Sequence, residues 1–222
     1  MKEKLLQLYL QQQQKFKKIL MSFPGDDLAG PFLMSPGAQY TKQKNPLLIV
    51  GQETSGWTHY IDEIEKQMTT YEKFNVGQSQ STNVFWDIIR KIENLLGNEP
   101  CSCAWTNLSK FDLYGGKSYG KYVKAISGLD QVLLDEIRIV APKVCLFFTG
   151  PDFDSRLKKV FTGIEFVEIP GWGLNQLSLI KHPSLPVYTF RAYHPKSLKL
   201  HRLESNFMQT VSDFVKSGIT IN

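Results

Sequence analysis

The chain has 222 residues, of which 42% are hydrophobic and 21% charged, with a formal net charge of +5. That length accommodates one domain burying roughly 70% of the surface its unfolded chain exposes, so a core can form without disulfides or metal. No apolar run approaches the ~20 residues that span a bilayer, which excludes a membrane-spanning helix, and the mild positive excess favours a polyanionic partner without deciding it.

Residues 2–20 repeat Leu5, Leu6, Tyr9, Leu10, Phe16, Ile19 and Leu20 at near-helical spacing, with Gln11 to Gln14 as a solvated face, and predict an amphipathic helix. This segment carries Lys and Glu and no small-residue cleavage site. It therefore does not read as a signal peptide, and a cytoplasmic location is expected. Residues 23–40 hold three prolines and three glycines and predict an irregular stretch wrapped over the surface.

Pro46 then leads into the first strand, Leu47 to Val50, whose unbroken apolar run is that of a strand covered on both faces. Residues 83–96 predict a helix with Phe85, Ile88, Ile89, Ile92 and Leu96 on one side, ended by Gly97. A short strand over 101–106 follows, then a glycine-rich loop over 114–121 that is expected to be mobile. A helix over 129–140 stops before Pro142, an apolar strand over 143–149 ends at Gly150, and 152–161 is helical. Residues 165–169 read as extended, PGWG as a turn, 187–193 as the last strand and 203–215 as a closing helix. Cys101, Cys103 and Cys145 cannot pair completely and the C-x-C spacing lacks the second half of a zinc or iron–sulfur site, so they read as reduced thiols.

Alternating strands and helices predict an α/β protein: a three-layer α/β/α domain around a central, mostly parallel four-stranded sheet. Residues 1–45 would form the N-terminal helix and irregular extension of this single domain, and 46–216 its α/β core. In open sheets of this kind, ligands bind beyond the carboxyl ends of the strands. Four polar stretches leave those ends: GQETSGW after the first strand, TNLSKFD after the second, TGPDF after the third and YHPKSLKLHR after the last.

These loops resemble the uracil-DNA glycosylase superfamily. Gly51 to Gly56 stand where that superfamily has G-Q-D-P-Y or an N-P-G variant, and Asn83, Phe85 and Trp86 match the N-x-F-W helix of its mismatch-specific, thymine-DNA glycosylase branch. His194, Pro195, Lys196, Ser197 and Leu198 resemble its H-P-S-x-L loop, and the similarity runs in consistent order over residues 47 to 202. Three positions depart from the pattern: Glu53 replaces Asp or Asn, Thr54 replaces a proline, and Lys196 replaces the serine of H-P-S. The four-cysteine cluster of the iron–sulfur branch is missing.

The resemblance implies a monofunctional DNA glycosylase, acting as a monomer on single- or double-stranded DNA with no metal and no redox cofactor. Breaking an N-glycosidic bond builds positive charge on the sugar and negative charge on the departing base. Glu53 would position a water and stabilise the sugar; His194, if neutral, would donate to the leaving carbonyl. Taken alone, Glu53 also reads as a solvated turn residue or a cap for a helix beginning near Thr54.

His182 competes for the imidazole role because it also sits in an H-P-S-L run, but it precedes the last strand and should lie at the wrong end. His59 and His201 read as surface residues, His201 with reach to phosphate. Gln52, Asn107 and Phe85 are the base-binding candidates, Asn107 because a carboxamide both donates and accepts and so matches an imide edge. An Asx turn at Asn107 and a core position for Phe85 are the alternatives; Trp86 is assigned to the core. Ser55, Lys196, Ser197, Lys199 and Arg202 are the DNA-backbone candidates, with Leu198 or Leu200 as the wedge that enters the duplex. Ser109, Lys110 and Lys117 extend that track.

Two other readings remain: an inactive nucleic-acid-binding module on the same scaffold, and a nucleotide-binding Rossmann-like enzyme, which lacks both glycine-rich phosphate motifs.

Overall fold

The computed structural model describes residues 1–25, 28–58, 63–80, 83–113 and 118–218. Its strands are β1 (Leu28–Ala29), β2 (Leu47–Gly51), β3 (Ala104–Asn107), β4 (Asp112–Leu113), β5 (Val144–Phe147), β6 (Glu165–Glu168), β7 (Leu177–Lys181) and β8 (Tyr188–Ala192). Its α-helices are α1 (Lys2–Met21), α2 (Ile64–Phe74), α3 (Val84–Leu95), α4 (Gly120–Ile126), α5 (Gln131–Val140), α6 (Asp154–Val160), α7 (Pro195–Leu200) and α8 (Glu204–Ser217).

The fold is α/β with a mostly parallel central sheet flanked by helices. The sheet has six strands in the order β3-β2-β5-β8-β7-β6, not four. The first four run parallel, and β7 and β6 add antiparallel at the far side. In the parallel part Gly51 pairs with Asn107, Val50 with Phe147 and Phe147 with Arg191. The carboxyl ends of β3, β2, β5 and β8 thus lie side by side, and the loops leaving them share one edge of the sheet.

Neighbouring strand residues point to opposite faces, and β3 shows which helices lie where. Trp105 meets Trp86 of α3 edge-on at 5.1 Å between ring centroids. Thr106, its neighbour, donates to Glu136 of α5 at 2.7 Å on the other face. Helices α7 and α8 group with α3, and α1 groups with α5. Helix α2 covers the outer side of β3, whose Trp105 N–H donates to the Tyr71 hydroxyl at 2.9 Å; this satisfies a donor that an edge strand would otherwise leave unpaired.

The N-terminal helix is part of this body. Leu5, Tyr9 and Phe16 are wholly buried, and the Tyr9 hydroxyl donates to Glu136 at 2.8 Å. The extension after it is less irregular than expected: β1 pairs antiparallel with β4, tying residues 28–29 to the segment beyond β3. Among the described residues no helix is long and apolar enough to cross a membrane.

Candidate functional site

Beyond the carboxyl edge lies a cavity of about 580 Å³, lined by residues 51–57, Phe74, Gln80, Asn83, Phe85, Trp86, Trp105, Asn107, His194 and Lys196. Its size is that of an ordinary small-molecule site. Five separate stretches of chain build it: the turn after β2, the end of α2, the entry to α3, the end of β3 and the start of α7.

The turn after β2 is fixed by side chains. The pairing of β2 with β3 continues past the strands, with Leu108 N–H donating to Gly51 O at 3.0 Å and Ser109 N–H to Gln52 O at 2.9 Å. Gln52 donates its amide N–H to Thr149 O at 2.8 Å, which ties the turn to the end of β5. Asp112, wholly buried, accepts from the Thr54 hydroxyl and from Gly56 N–H. Within this frame the Glu53 carboxylate is half-buried and accepts from Ser118, at 3.1 Å from its N–H and 2.8 Å from its hydroxyl. Burial raises the Glu53 pKa above the usual carboxylate value; the Ser118 donors oppose the rise, Asp112 adds to it and Arg156 lowers it.

Asn107 ends β3 directly opposite Gly51, and the missing side chain of that glycine makes room for it. A Cβ on Gly51 would collide with Asn107 Oδ1. The carboxamide is 1% exposed, and its Nδ2 has no hydrogen-bond partner among the described residues.

Asn83 caps α3, its side chain accepting from Phe85 N–H at 2.9 Å, and so sets the first turn that carries Phe85. The half-buried Phe85 ring stacks on His194 at 5.6 Å between centroids and 30° between planes. His194 in turn caps α7: its Nδ1 accepts from Lys196 N–H at 3.2 Å. An accepting Nδ1 carries no proton, so in the neutral ring the proton sits on Nε2, which becomes the donor. His182 lies elsewhere, just after β7 and near the amino end of β8, with Nε2 3.2 Å from Thr162 O.

Glu53, His194, Gln52, Asn107, Phe85, Ser55 and Lys196 thus line one cavity. Ser197, Lys199 and Arg202 do not line it; they lie on α7 and the turn after it, with Lys199 and Arg202 exposed. Three expectations from the sequence are corrected. Leu198 is wholly buried and cannot act as a wedge, whereas Leu200 is 78% exposed. Lys110 is wholly buried against Glu136 at 2.6 Å. Ser109 is buried and accepts from Arg156 at 2.9 Å, so neither it nor Lys110 faces a phosphate. His59 and the first part of the glycine-rich loop, residues 114–117 with Lys117, lie outside the described residues.

Trp57, Phe74, Trp105, Asp112 and Ser118 were not singled out by sequence reasoning, although Asp112 lies inside the quoted TNLSKFD loop and Trp57 ends GQETSGW. The aromatic ones form a continuous wall: Trp57 meets Trp105 at 6.0 Å and Phe74 at 5.8 Å between centroids. Among the described residues no group of three or more His, Cys, Asp and Glu side chains is placed to hold a metal. No protein-family model and no curated protein matches the chain.

Proposed function

We propose that this chain is a DNA glycosylase of the uracil type, with a uracil-DNA-glycosylase-like fold, hydrolysing the N-glycosidic bond of uracil or a related damaged base flipped out of DNA. The observation that carries this reading is the convergence of Glu53, Asn107, Phe85 and His194, from four separate stretches of chain, on one cavity large enough to admit a nucleobase. An acid, an amide, an aromatic face and a ring N–H are the groups that sugar-cation stabilisation, edge reading, stacking and leaving-group stabilisation require.

In this mechanism the extruded base stacks on Phe85 while the Asn107 amide donates to O4 and accepts from N3–H. The C1′–N1 bond breaks with its electron pair leaving on the base, and the negative charge spreads onto O2, where His194 Nε2–H donates. The Glu53 carboxylate faces the cationic sugar and takes a proton from the water that bonds to C1′. The base anion then gains a proton from solvent. Ser55 and Lys196 at the cavity, with Ser197, Lys199 and Arg202 beside it, suit the flanking phosphates. The exposed Leu200 suits the gap left in the duplex.

The test is base release from oligonucleotides carrying uracil or a mismatch. Release is expected from the wild type, with Glu53→Gln and His194→Ala each slower by ~100-fold or more. Salt-sensitive DNA binding without release of any base would replace this reading with that of a binding module.

A further inference from the structure

The proposed mechanism uses one part of the cavity. Glu53, Asn107, Phe85 and His194 serve the extruded base and its sugar, while Trp57, Phe74 and Gln80, which line the same cavity, have no part in that scheme. A volume of about 580 Å³ is that of a site for a ligand of several rings, so a single pyrimidine leaves much of it unfilled.

The unused part is aromatic and open. Trp57 and Phe74 are half-buried, so each ring leaves some of its surface to the cavity. The two rings meet at 5.8 Å between centroids and 81° between planes, which makes a corner. Phe74 meets Trp86 at 5.5 Å and Phe85 meets Trp86 at 5.0 Å, so one indole separates this corner from the ring assigned to the extruded base. Ser55, in the same turn as Trp57, and Gln80 add exposed polar groups without charge to the lining.

The backbone is strained where it joins the two phenylalanines. Phe74 is the last residue of α2 and Phe85 lies in the first turn of α3; between them Asn75, Val76 and Gly77 have φ of +45°, +50° and +69°. A β-branched residue rarely adopts that conformation. At Gly77 a side chain is excluded, because a Cβ there would lie 2.5 Å from the Trp86 ring. Arg90 holds the turn by donating to Val76 O. This left-handed turn brings the end of α2 against the start of α3 and sets Phe74 on the same wall as Phe85. Strain of this kind persists where the surroundings over-determine it, and it clusters at ligand sites.

In a DNA strand the planar ring nearest an extruded base is that of the next nucleotide, tethered through one phosphate. Every base has a π-face, so an aromatic corner accepts it whatever the sequence. We propose that Trp57 and Phe74 form a second stacking subsite, which takes the base of the nucleotide next to the one excised. This rests on the glycosylase reading. The flanking base anchors the strand at the cavity mouth and so helps to fix the sugar of the extruded nucleotide against Glu53.

Single-turnover release, at enzyme concentrations below saturation, is measured from single-stranded oligonucleotides carrying one uracil. Its 5′ or 3′ neighbour is either adenosine or an abasic tetrahydrofuran; a single strand is used so that the missing base does not also loosen a duplex. Loss of the neighbouring base on one side is expected to slow release about tenfold, the effect of one lost base–aromatic stack, with little change on the other side. W57L and F74L should each bring that ratio toward one. The ratio is read within one preparation, so a partly folded variant does not disturb it. Uracil release that ignores both neighbours, or falls equally with either, overturns the inference and leaves the glycosylase reading standing. So does release from duplex DNA with none from the single strand. A one-sided effect that survives both W57L and F74L overturns the assignment to this corner. Release of no base from single strand or duplex removes both the inference and the reading beneath it.

Discussion

Glu53 is held between opposing influences, and their balance has consequences for pH. Burial raises its pKa while Ser118 and Arg156 pull it down, and the net direction is up. Since the proposed mechanism needs the carboxylate, base release should fall as pH drops through a value above the usual glutamate pKa of about 4.3. Ser118→Ala removes a donor to the charged form and should move that acid limb higher still; pH–rate profiles of the two proteins check it. Stability runs the other way. A carboxyl group whose folded-state pKa is raised contributes stability when protonated, at low pH, and that contribution is lost as pH rises through the raised value. Glu53→Gln never ionises, so its Tm should exceed that of the wild type near neutral pH, with the gap closing as the pH is lowered; thermal melts across that range decide it. Glu53 and His194 could be placed at one sheet edge from the sequence because each follows the carboxyl end of a strand that was readable, β2 as an unbroken apolar run and β8 by its aromatic and β-branched residues. Ser118, Asp112 and the Trp57 and Trp105 rings of the cavity wall could not. Their positions at the site depend on which segments meet in space.

The same division holds for the elements. Helices α1, α3, α5 and α8 and strands β2 and β5 were readable because their apolar residues recur at helical spacing or run unbroken, whereas β8, interrupted by Thr189 and Arg191, stood out by its aromatic and β-branched residues. Strand β7 was missed: it is five residues long, has Ser178 buried within it, and lies between the turn-like PGWG and HPSLP sequences. Its partner β6, exposed at Glu165 and Glu168, is an edge strand whose terminal charges keep other chains from adding to it. The stretch after β8 was read as a loop yet begins with α7, because His194 caps it and Pro195 fits its first turn. Caps position functional groups here as well as ending helices. Asn83→Ala removes the acceptor for Phe85 N–H and should cost about 1 kcal/mol in urea unfolding. It should also slow base release modestly, since Phe85 then sits on a less defined first turn.

At the scale of the whole molecule, the feature that binds the N-terminal helix to the site is a buried charge. Lys110 Nζ lies 2.6 Å from Glu136 and donates to Thr106 at 2.7 Å, and Glu136 also accepts from Tyr9 of α1 at 2.8 Å. Burial lowers the Lys110 pKa, and Glu136 opposes that shift. Thr106 precedes Asn107, and Lys110 O accepts from Phe32 N–H of the extension at 2.7 Å, so the helix and the extension both brace the segment that carries the amide. Sequence alone made Lys110 a surface cation because an isolated lysine in a polar loop shows no sign of a carboxylate 26 residues away. Taking one ion from a buried pair strands the other, at about 3–5 kcal/mol, whereas replacing both with neutral groups costs far less. K110M should therefore lose about 3–5 kcal/mol in urea unfolding, and K110M/E136Q should recover most of that loss, because a carboxamide in place of the carboxylate still accepts from Tyr9. On the proposed DNA-binding reading, the salt dependence of affinity supplies the complementary measurement. A lysine that neutralises a phosphate contributes to the slope of log affinity against log salt, so Lys199→Ala should flatten it by roughly one unit. K110M/E136Q should leave the slope unchanged; a flatter slope in that double variant would mean that Lys110 leaves its buried site to meet the nucleic acid.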